Sequence, residues 1–305
     1  MKFSIITPSF RQLGWLSLAA ASVRDQLGPT ATDLSVEHII QDAGSPGIED
    51  FARQNGASFW HEGREIFSRT NTQKSGHYLL TIFSEPDQGM YDAINRGLRR
   101  ASGDVCAWLN CDEQYFPDAF RTVQAEFAKH PSAEMICGQA VVVNPQGGYL
   151  CSRTPLAPGR LHTLLSGNLS FLSAAAFFKR EIVGAGSEIP AGWRVAGDAA
   201  WSLELIKRKT RFHMLPRYLA AFVDTGENLS LHPQAASEAL RLAQQAPLWA
   251  RWLRPMIILT HRLRKWRSGA YRLRPFDYRI FTLQSPRTRK HFSAPSPQQT
   301  WPGRI

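Results

Sequence analysis

Residues 78–113 read YLLTIFSEPDQGMYDAINRGLRRASGDVCAWLNCDE, and this stretch decides the fold class. It begins with an apolar run, Tyr78–Ser84, that predicts a buried strand, and it continues with a helical pattern over Tyr91–Ala101. A second apolar run, Val105–Leu109, predicts another buried strand. Two strands joined through a helix form a βαβ unit, in which the strands are parallel. We therefore predict an α/β protein with a mostly parallel sheet flanked by helices.

The same alternation extends over residues 1–230, which we assign to one body. Upstream, Lys2–Thr7 and Val36–Gln41 predict two further strands, each followed by a helix. Downstream we predict, in chain order, a helix (Asp118–Lys129), a hairpin (Met135–Val143 with Tyr149–Cys151), a strand (Ala174–Phe178), a helix (Asp198–Lys209) and two short strands (Arg211–Leu215 and Tyr218–Phe222). Residues 55–77 are expected to form an exposed loop.

The charge of the chain is distributed unevenly. The formal net charge is +11, yet residues 231–305 contain 14 Lys or Arg against 2 Asp or Glu, so the remainder is close to neutral. A nucleic-acid-binding protein is expected to carry basic residues over its folded body. A neutral body with a cationic tail instead indicates contact between the tail and an anionic surface, and we expect no nucleic-acid partner.

The sequence also predicts the cellular compartment. No run of about 18 uncharged apolar residues exists, which argues against a membrane-spanning helix. The N-terminus lacks the apolar core and cleavage site of a signal peptide. The four cysteines form no CxxC pair, so we expect reduced thiols and a cytoplasmic protein.

Polar residues follow the first four predicted strands, where an open parallel sheet binds its ligands. These segments are Thr7-Pro8-Ser9, Asp42-Ala43-Gly44-Ser45, Glu85-Pro86-Asp87-Gln88-Gly89 and Asn110-Cys111-Asp112-Glu113. Carboxylates that converge at one edge repel one another unless cations or hydrogen-bond donors offset the charge. The edge is therefore predicted to be a binding site.

Two of these carboxylates have specific alternatives. Asp112, with a polar residue two positions before it, can hold a magnesium or manganese ion that bridges a diphosphate, or it can belong to a cluster that caps the following helix. Asp42 suits hydrogen bonding to a base or a ribose hydroxyl, with Gly44 allowing close approach, or it can form an Asx-turn. Neither GxGxxG nor GxxxxGK[ST] occurs, which argues against those phosphate cradles.

Segment 84–113 closely resembles the family 2 glycosyltransferases, whose common form runs SEPDxGxYDAxNxG, then AxGD, then a strand ending in N/D-x-DD. The segments SIITPSF and HIIQDAGS resemble the first two strand ends of that family. AAAFFKREIV, AGDAAWSLELIKR and RFHMLPRYLAAF resemble its acceptor side, and PFDYRIFTLQSP resembles the tail of bacterial polysaccharide-forming members.

The resemblance implies an A-type glycosyltransferase fold and inverting transfer of a sugar from a nucleotide diphosphate donor. It divides residues 1–230 into a donor half, about 1–130, and an acceptor half, about 131–230. The residues that the resemblance places in the donor site are Pro8, Ser9, Asp42, Asp87, Gly89, Asn95 and Asn110. Asp112 matches the carboxylate that binds a divalent metal (Mn or Mg), and Asp198 matches the catalytic base, for which a plain helix N-cap is the alternative.

The chain departs from the family pattern at several positions. The metal motif has Asn110 first and Glu113 last, so that only Asp112 is unchanged. Many relatives carry His-Gln near the acceptor, where this chain has Ser173-Ala174. His213 and His232 are lone histidines without metal-ligand spacing, and we assign them no metal.

Residues 231–305 are predicted to be a basic amphipathic helical tail. Within it, Pro247–Tyr271 interleaves tryptophan and leucine with arginine, a composition suited to the interface of an anionic membrane. The alternative is a helix packed on the body with a solvated basic face. Membrane contact would place the enzyme peripherally on the inner membrane, next to a saccharide or lipid-linked acceptor for polysaccharide assembly.

Two other functions are compatible with these residues. A nucleotidyltransferase can use a similar sheet and metal, but it is expected to carry a Gly- and Arg/Lys-rich loop after the first strand, where TPSFRQLG has one Arg and one Gly. A non-catalytic membrane-surface scaffold would keep the fold without turnover.

Overall fold

One large sheet organises the chain in the computed structural model, which describes residues 1–28, 33–68, 78–167, 169–184, 188–226, 228 and 232–302. The strands are β1 (Lys2–Ser9), β2 (Ser35–Asp42), β3 (Ser58–His61), β4 (Arg64–Phe67), β5 (Tyr78–Ser84), β6 (Val105–Trp108), β7 (Glu113–Tyr115), β8 (Met135–Val143), β9 (Tyr149–Arg153), β10 (Ala176–Lys179), β11 (Phe212–Val223), β12 (Phe276–Thr282) and β13 (Ser285–Ala294). The helices are α1 (Leu13–Arg24), α2 (Ile48–Gln54), α3 (Met90–Arg100), α4 (Ala119–Lys129), α5 (Arg160–Ser166), α6 (Glu181–Gly184), α7 (Gly197–Lys207), α8 (Gln234–Gln244), α9 (Leu248–Trp252) and α10 (Arg254–Arg267).

The sheet has the order β4-β3-β5-β2-β1-β6-β10-β8-β11-β7, with β9 paired to β8. The strands β3, β5, β2, β1 and β6, which are adjacent in this order, run parallel to one another, and β8 runs parallel to β11. The strands β4, β7, β9 and β10 pair antiparallel to their neighbours. The prediction of a mostly parallel sheet flanked by helices is confirmed.

The central strand β1 supplies both faces of the core because its side chains alternate across the sheet. Phe3 and Ile5 belong to a cluster that includes Phe120 of α4, while Ile6 belongs to the opposite cluster with residues of α3 and α7. Phe3 and Phe120 stack with ring centroids 4.8 Å apart. A strand buried on both faces explains the nearly continuous apolar run in the sequence.

Some predicted elements differ from the structure. Residues 55–68 are not only a loop, because β3 and β4 form a hairpin on the edge of the sheet; residues 69–77 lie outside the described residues. The two short strands predicted over residues 211–222 are one strand, β11, whose pairing with β8 is interrupted by register shifts. The predicted strand at Ala174–Phe178 begins with a 3₁₀ turn and becomes β10.

The last thirty or so residues of the tail, which their Pro- and Arg-rich composition predicts to be irregular, instead form the β12–β13 hairpin. This hairpin packs on the body: Tyr278 and Ile280 share a buried cluster with Phe116 and Val141. Gln114, itself buried, donates to Phe281 O (2.9 Å) and accepts from Phe281 N (2.9 Å). Because the donor and the acceptor of this buried amide are both paired with the backbone of Phe281, the hairpin has a defined position on the body. The predicted boundary between body and tail lies at residues 229–231, outside the described residues.

The predicted helical part of the tail is confirmed as α8, α9 and α10. None of the helices in the described part of the chain combines the length and the apolar composition needed to span a membrane.

Close packing of α3 on β1 leads to a stability prediction at Gly97. A Cβ atom at this position would lie 2.5 Å from Cγ2 of Ile6, a fully buried side chain. Overpacking of this kind costs about 1–3 kcal/mol, and the better helix propensity of alanine recovers about 1 kcal/mol. We expect Gly97→Ala to lower the free energy of unfolding by up to about 2 kcal/mol, measured by urea denaturation.

The double-mutant cycle with Ile6→Ala provides the control. Removing the Ile6 side chain makes room for the new Cβ, so that Gly97→Ala becomes neutral or stabilising in that background. An equal loss in both backgrounds would contradict the packing explanation.

Candidate active site at the carboxyl edge of the sheet

The predicted binding residues meet at one edge of the sheet. Ser9, the last residue of β1, is paired in register with Asp42, the last residue of β2, and Asp42 is paired with Ser84 at the end of β5. β6 runs parallel beside β1 and ends at Trp108, immediately before the Asn110–Glu113 loop. Parallel register therefore places the segments after all four strands side by side. Pro8 and Ser9 are both buried at this edge.

Asp42 is hydrogen-bonded within its own loop, although not in the Asx-turn that the sequence analysis gave as the alternative, because its partner lies three residues on and not two. Its Oδ2 accepts from Ser45 N (2.7 Å), its Oδ1 accepts from Ser45 Oγ (2.6 Å), and the side chain is fully buried. Ser45 Oγ in turn accepts from Arg11 N (2.7 Å), which ties the loop after β1 to the loop after β2. A donor-binding role for Asp42 stays a prediction.

A cleft of about 280 Å³ opens beside this loop. It is lined by the loop after β2, the end of β5 and the β3–β4 hairpin, with Gly44, Ser45, Phe59, His61 and Ser84 among its residues. The hairpin that the sequence analysis treated as a loop therefore forms one wall of the cleft.

Asp87 and Gly89 lie at the start of α3. Asp87 Oδ1 accepts from Gly89 N (2.8 Å), and Gly89 is exposed at the helix N-terminus. Burial raises the pKa of Asp87, and the charges of Asp92 and Asp42 raise it further. Asp87 and Asp42 thus lie close enough to interact, as the predicted convergence requires.

Asn95 does not point its amide toward the strand ends. Its Nδ2 donates to Ile189 O (2.8 Å) and its Oδ1 accepts from Ile189 N (3.0 Å). Both ends of the buried amide are therefore bound to the segment that precedes α7. The structure assigns Asn95 a positioning contact, and its predicted contact with a donor stays a prediction.

The Asn110–Glu113 loop is a turn whose two acidic groups are adjacent. Glu113 Oε2 accepts from Asn110 N (2.8 Å) and Glu113 Oε1 from Asn110 Nδ2 (3.2 Å), while Asp112 Oδ2 accepts from Asn228 Nδ2 (2.9 Å). Burial raises the pKa of both Asp112 and Glu113, and the charge of Asp112 raises the pKa of Glu113 further. Among the residues that the structure describes, no cationic side chain contributes to the pKa of either carboxyl.

The donor atoms of this loop fit a divalent cation with oxygen ligands. Oδ1 of Asn110 is buried and has no hydrogen-bond partner, and it belongs to the same turn as the Asp112 carboxylate. A buried acceptor without a partner costs about 1–3 kcal/mol, which coordination would offset. Magnesium and manganese prefer carboxylate and carbonyl oxygens, so the residues present suit either ion.

Asp198 lies in the first turn of α7 and is half-buried. Its Oδ1 accepts from Ala199 N (2.7 Å), but Asp198 is not the N-cap of α7, because Ala196 occupies that position. Burial raises the pKa of Asp198 to about 6, and the charge of Glu238 also raises it. At Gly197 a Cβ would lie 2.5 Å from the ring of Tyr91, so glycine lets α7 begin directly against α3.

The charge of Asp198 reaches the loop that the sequence predicts to bind a metal. Burial raises the pKa of Glu113, and the charges of Asp112 and of Asp198 both contribute. On the other side, burial raises the pKa of Cys111 above the physiological range, and the charges of Asp112 and Asp42 contribute. The charges of Asp42, Asp112 and Asp198 therefore all act on the segment Cys111–Glu113.

Glu238 of α8 is a residue of the site that the sequence analysis missed. Its carboxylate accepts three backbone hydrogen bonds, from Arg194 N (2.8 Å), Val195 N (2.9 Å) and Ala196 N (2.8 Å), directly before α7. Burial opposes its ionisation, but these three N–H groups lower the pKa of Glu238. No local pattern identifies Glu238, because its partners are more than 40 residues away in sequence.

A separate group of possible metal ligands lies far from Asp112. Glu126, His130 and His213 bring one ligand atom each within 4.8 Å of one another. His213 belongs to the start of β11, whereas the backbone of Val223, at its end, donates to Asp112 O. Ten residues of strand separate these positions by about 30 Å. This group is therefore distinct from the metal site predicted at Asp112.

The fold and the acidic strand ends define the chain as an A-type glycosyltransferase. The sequence profile of Glycosyl transferase family 2 matches residues 4–183, more than half of the chain, and the chain belongs to this family. The family and the fold class predicted from the sequence are confirmed.

Known proteins show the same relationship. An uncharacterized glycosyltransferase of Mycobacterium tuberculosis is 31% identical over 134 residues, which is 43% of this chain and 42% of the relative. A PGL/p-HBAD biosynthesis glycosyltransferase of Mycobacterium bovis is 33% identical over 64 residues, which is 21% of this chain and 25% of the relative. The chain thus matches less than half the length of these curated relatives.

Solved structures share the fold at low sequence identity. S. aureus TarS superposes with a TM-score of 0.54 and 15% identity, covering 80% of this chain and 39% of TarS. TarS 1–349 in complex with UDP gives a TM-score of 0.53 and 15% identity, covering 80% of this chain and 64% of the other. At this identity the similarity concerns the fold alone.

The contacts of Glu238 predict local opening when its charge is removed. In Glu238→Gln, a carboxylate that accepts from three N–H groups becomes an amide, and the NH₂ group of the amide cannot accept hydrogen bonds from them. Hydrogen bonds to charged groups contribute about 1.5–3 kcal/mol each. We expect amide exchange at Arg194–Ala196 to accelerate by about tenfold or more, measured by hydrogen–deuterium exchange mass spectrometry.

The matched control is Glu204→Gln on the exposed part of α7, where the carboxylate pairs with Lys207. Exchange at Arg194–Ala196 is expected to stay unchanged in this control. Unchanged exchange in Glu238→Gln as well would show that the three hydrogen bonds do not hold the segment.

Proposed function

We propose that the protein is an inverting glycosyltransferase that moves a sugar from a nucleoside diphosphate sugar to a saccharide or lipid-linked acceptor, with Asp198 as the general base. The observation that carries this proposal is the parallel register that brings the ends of β1, β2, β5 and β6 to one edge of the sheet in a chain of Glycosyl transferase family 2. We propose that Asp112 at this edge and Asp198 in the first turn of α7 border one site, with one carboxylate on the metal side and one on the acceptor side, which is the minimal set for inverting transfer. The charges of both residues act on Glu113, which supports this placement.

Asp198 has a pKa suited to proton abstraction. Its pKa of about 6 leaves the carboxylate ionised at neutral pH while keeping it more basic than an exposed aspartate. The acceptor hydroxyl loses its proton to the carboxylate as its oxygen forms a bond to the anomeric carbon. The bond from that carbon to the diphosphate oxygen breaks, and the diphosphate leaves with the electron pair.

The strand ends supply the donor side. Pro8, Ser9 and Asp42 are proposed to contact the nucleoside, because Pro8 and Ser9 are paired in register with Gln41 and Asp42, directly before the loop whose Gly44 and Ser45 line the cleft. Asp87 and Gly89, and the remaining predicted donor residues Asn95 and Asn110, lie on the helix and loop that follow β5 and β6.

The leaving diphosphate requires positive charge. Asp112 and Asn110 would hold a divalent cation, Mn or Mg, through oxygen atoms of the turn. A bound divalent cation supplies neutralising charge for the diphosphate that develops during transfer. Asn228 orients the Asp112 carboxylate by its hydrogen bond to Oδ2.

Donor screening followed by base substitution tests the proposal. Thermal unfolding is measured with uridine, guanosine and thymidine diphosphate sugars, with and without manganese, beginning with UDP sugars because TarS 1–349 has been crystallised with UDP and with UDP-GlcNAc. We expect one donor class to raise the midpoint in a manganese-dependent manner. With that donor, transfer should decline tenfold per pH unit below about pH 6, because protonated Asp198 cannot accept a proton.

Three variants separate binding from chemistry. Asp198→Asn should keep the donor shift and lose transfer by at least about a hundredfold, whereas Asp112→Asn should lose the manganese-dependent part of the shift. Asp50→Asn, an exposed substitution of the same type on α2, should change neither. Full transfer by Asp198→Asn would refute the base assignment, and a protein indifferent to all donors would favour the non-catalytic alternative.

The outer face of α9 and α10 supports a membrane-surface location. Trp252 at the end of α9 is 85% exposed, and Met256, Leu259, Leu263 and Trp266 form a stripe along α10 that is 61%, 54%, 47% and 64% exposed. Their spacing of three and four residues places them on one side of α10. The apolar side of this helix therefore points away from the body.

Basic residues flank the apolar stripe. Arg254, Arg262 and Arg267 are exposed on the same helix. Apolar side chains inserted at headgroup depth, bordered by arginine, are typical of helices that lie in the interface of an anionic bilayer. We infer that α9 and α10 dock the enzyme peripherally on the cytoplasmic face of the inner membrane, where a lipid-linked acceptor is within reach.

Vesicle binding tests this location with a matched pair of variants. Basic residues contribute about 1 kcal/mol each near an anionic surface, and each buried apolar side chain adds about 1.5–3 kcal/mol. We expect Leu259→Ser/Trp266→Ser to weaken binding to phosphatidylglycerol-containing vesicles at least tenfold in flotation assays. Leu240→Ser on α8, where the leucine is 59% exposed, serves as the control and should bind like the wild type.

A further inference from the structure

Five basic side chains meet where α10 packs on α5 and the end of β9. They are Arg153, His162, His261, Arg264 and Lys265, and we call them the basic cluster. The rings of His162 and His261 stack with centroids 3.5 Å apart and an interplanar angle of 9°.

Two contacts hold the surrounding backbone in place. Arg264 Nη2 donates to Ala157 O (2.8 Å), which joins α10 to the segment after β9. Gln299 Nε2 donates to Thr154 Oγ1 (2.6 Å) and to Ala270 O (2.9 Å), so the end of β9 lies beside the end of α10. The basic cluster is therefore assembled from three elements, β9 and α5, which are neighbours in sequence, and α10, which is distant from both.

The basic cluster has no counter-charge among the described residues. None of its five side chains forms an ion pair with a carboxylate in residues that the structure describes, and Arg153 and Lys265 make no side-chain hydrogen bond there. Nδ1 of His162 and Nδ1 of His261 are buried without a partner. Donors are thus present in excess over acceptors.

The groups of the basic cluster repel one another. Burial lowers the pKa of Lys265 to about 8, and the charge of Arg153 contributes. Burial lowers the pKa of His162 to about 4, with contributions from Lys265 and Arg264. Partly buried charges of one sign destabilise the folded protein unless an ion of opposite sign accompanies them. The arrangement is that expected of an anion site.

We propose that the basic cluster binds a phosphate group, separate from the donor diphosphate at Asp112. The guanidinium groups of Arg153 and Arg264 offer paired donors to phosphate oxygens, and Lys265 adds a point charge. Arg264 is exposed while Arg153, His162 and Lys265 are partly exposed, so a phosphate can reach them from solvent. Free phosphate and the phosphate of a lipid headgroup share this chemistry.

Thermal unfolding of the full chain tests the site with inorganic phosphate, in chloride buffers of matched ionic strength. At ten to a hundred times the dissociation constant, we expect phosphate to raise the midpoint by about 2–4 °C. Arg153→Gln/Lys265→Gln should remove this rise. Without phosphate the same variant should unfold at the wild-type midpoint or above it, because the substitution relieves repulsion.

The controls distinguish this site from general charge effects. Arg262→Gln/Arg267→Gln removes two exposed charges from the same helix outside the basic cluster and should keep the full rise, as should Lys265→Arg. A phosphate-dependent rise that persists in Arg153→Gln/Lys265→Gln, or no rise in the wild type, overturns the proposal. Neither outcome bears on donor binding, which is measured with Asp112→Asn.

A second ligand identifies the source of the phosphate. Short-chain dihexanoyl phosphatidic acid is compared with inorganic phosphate at equal concentration, and dihexanoyl phosphatidylcholine corrects for the acyl chains. The site is assigned to a lipid headgroup if phosphatidic acid raises the unfolding midpoint more than inorganic phosphate does and Arg153→Gln/Lys265→Gln removes this larger rise. Equal rises assign it to free phosphate.

Discussion

The placement of Asp198 depends on a short segment, residues 188–196, that is held between two helices. From α3, Tyr91 donates to Val195 O (2.8 Å), Asn95 binds both backbone groups of Ile189, and Arg99 pairs with Glu188 (2.5 Å). These three residues are spaced four apart and therefore lie on one face of α3. From α8, Glu238 binds the last three N–H groups of the segment. Without these contacts the first turn of α7 would have no defined position relative to the strand ends.

This arrangement gives the SEPDQGMYDAINRG motif a physical interpretation. Its first half forms the loop after β5 and its second half forms α3, one face of which holds the segment that leads to Asp198. One continuous motif thus contributes Asp87 to the carboxyl edge of the sheet, and it contributes Tyr91 and Asn95 to the contacts that position this segment. The motif has little freedom to vary because the same helix also packs against β1, where Gly97 leaves no room for a side chain.

The sequence predicted the strand ends and Asp112 because their signals are local. An apolar run followed by polar residues identifies a strand end, and parallel pairing then brings such ends together. The positions of Asn95 and Glu238 could not be predicted in this way, since their partners, Ile189 and Arg194–Ala196, are distant in sequence. The residue type of Asp42 does not by itself predict its partner. A carboxylate at this position suits a ribose hydroxyl, but in the structure it accepts two hydrogen bonds from Ser45. The β12–β13 hairpin was missed because its arginine-rich composition resembles that of an irregular tail, whereas its inward residues pack on Phe116 and Val141.

The C-terminal helices connect the exposed apolar stripe of α10 to the segment that precedes Asp198. α8 supplies Glu238, and α10 carries the exposed apolar stripe on one side and His261 of the basic cluster on the other. α5 packs against α7, α8 and α10, so one short helix contacts both the element that begins with Asp198 and the element that contributes Lys265. Leu164 and Leu165 of α5 are buried together with Ala246 and Ala250, which join α8 to α9. A ligand that draws Lys265 and Arg153 together would tighten α10 against the end of β9, beside α5, and α5 itself packs against α7, the helix that contains Asp198.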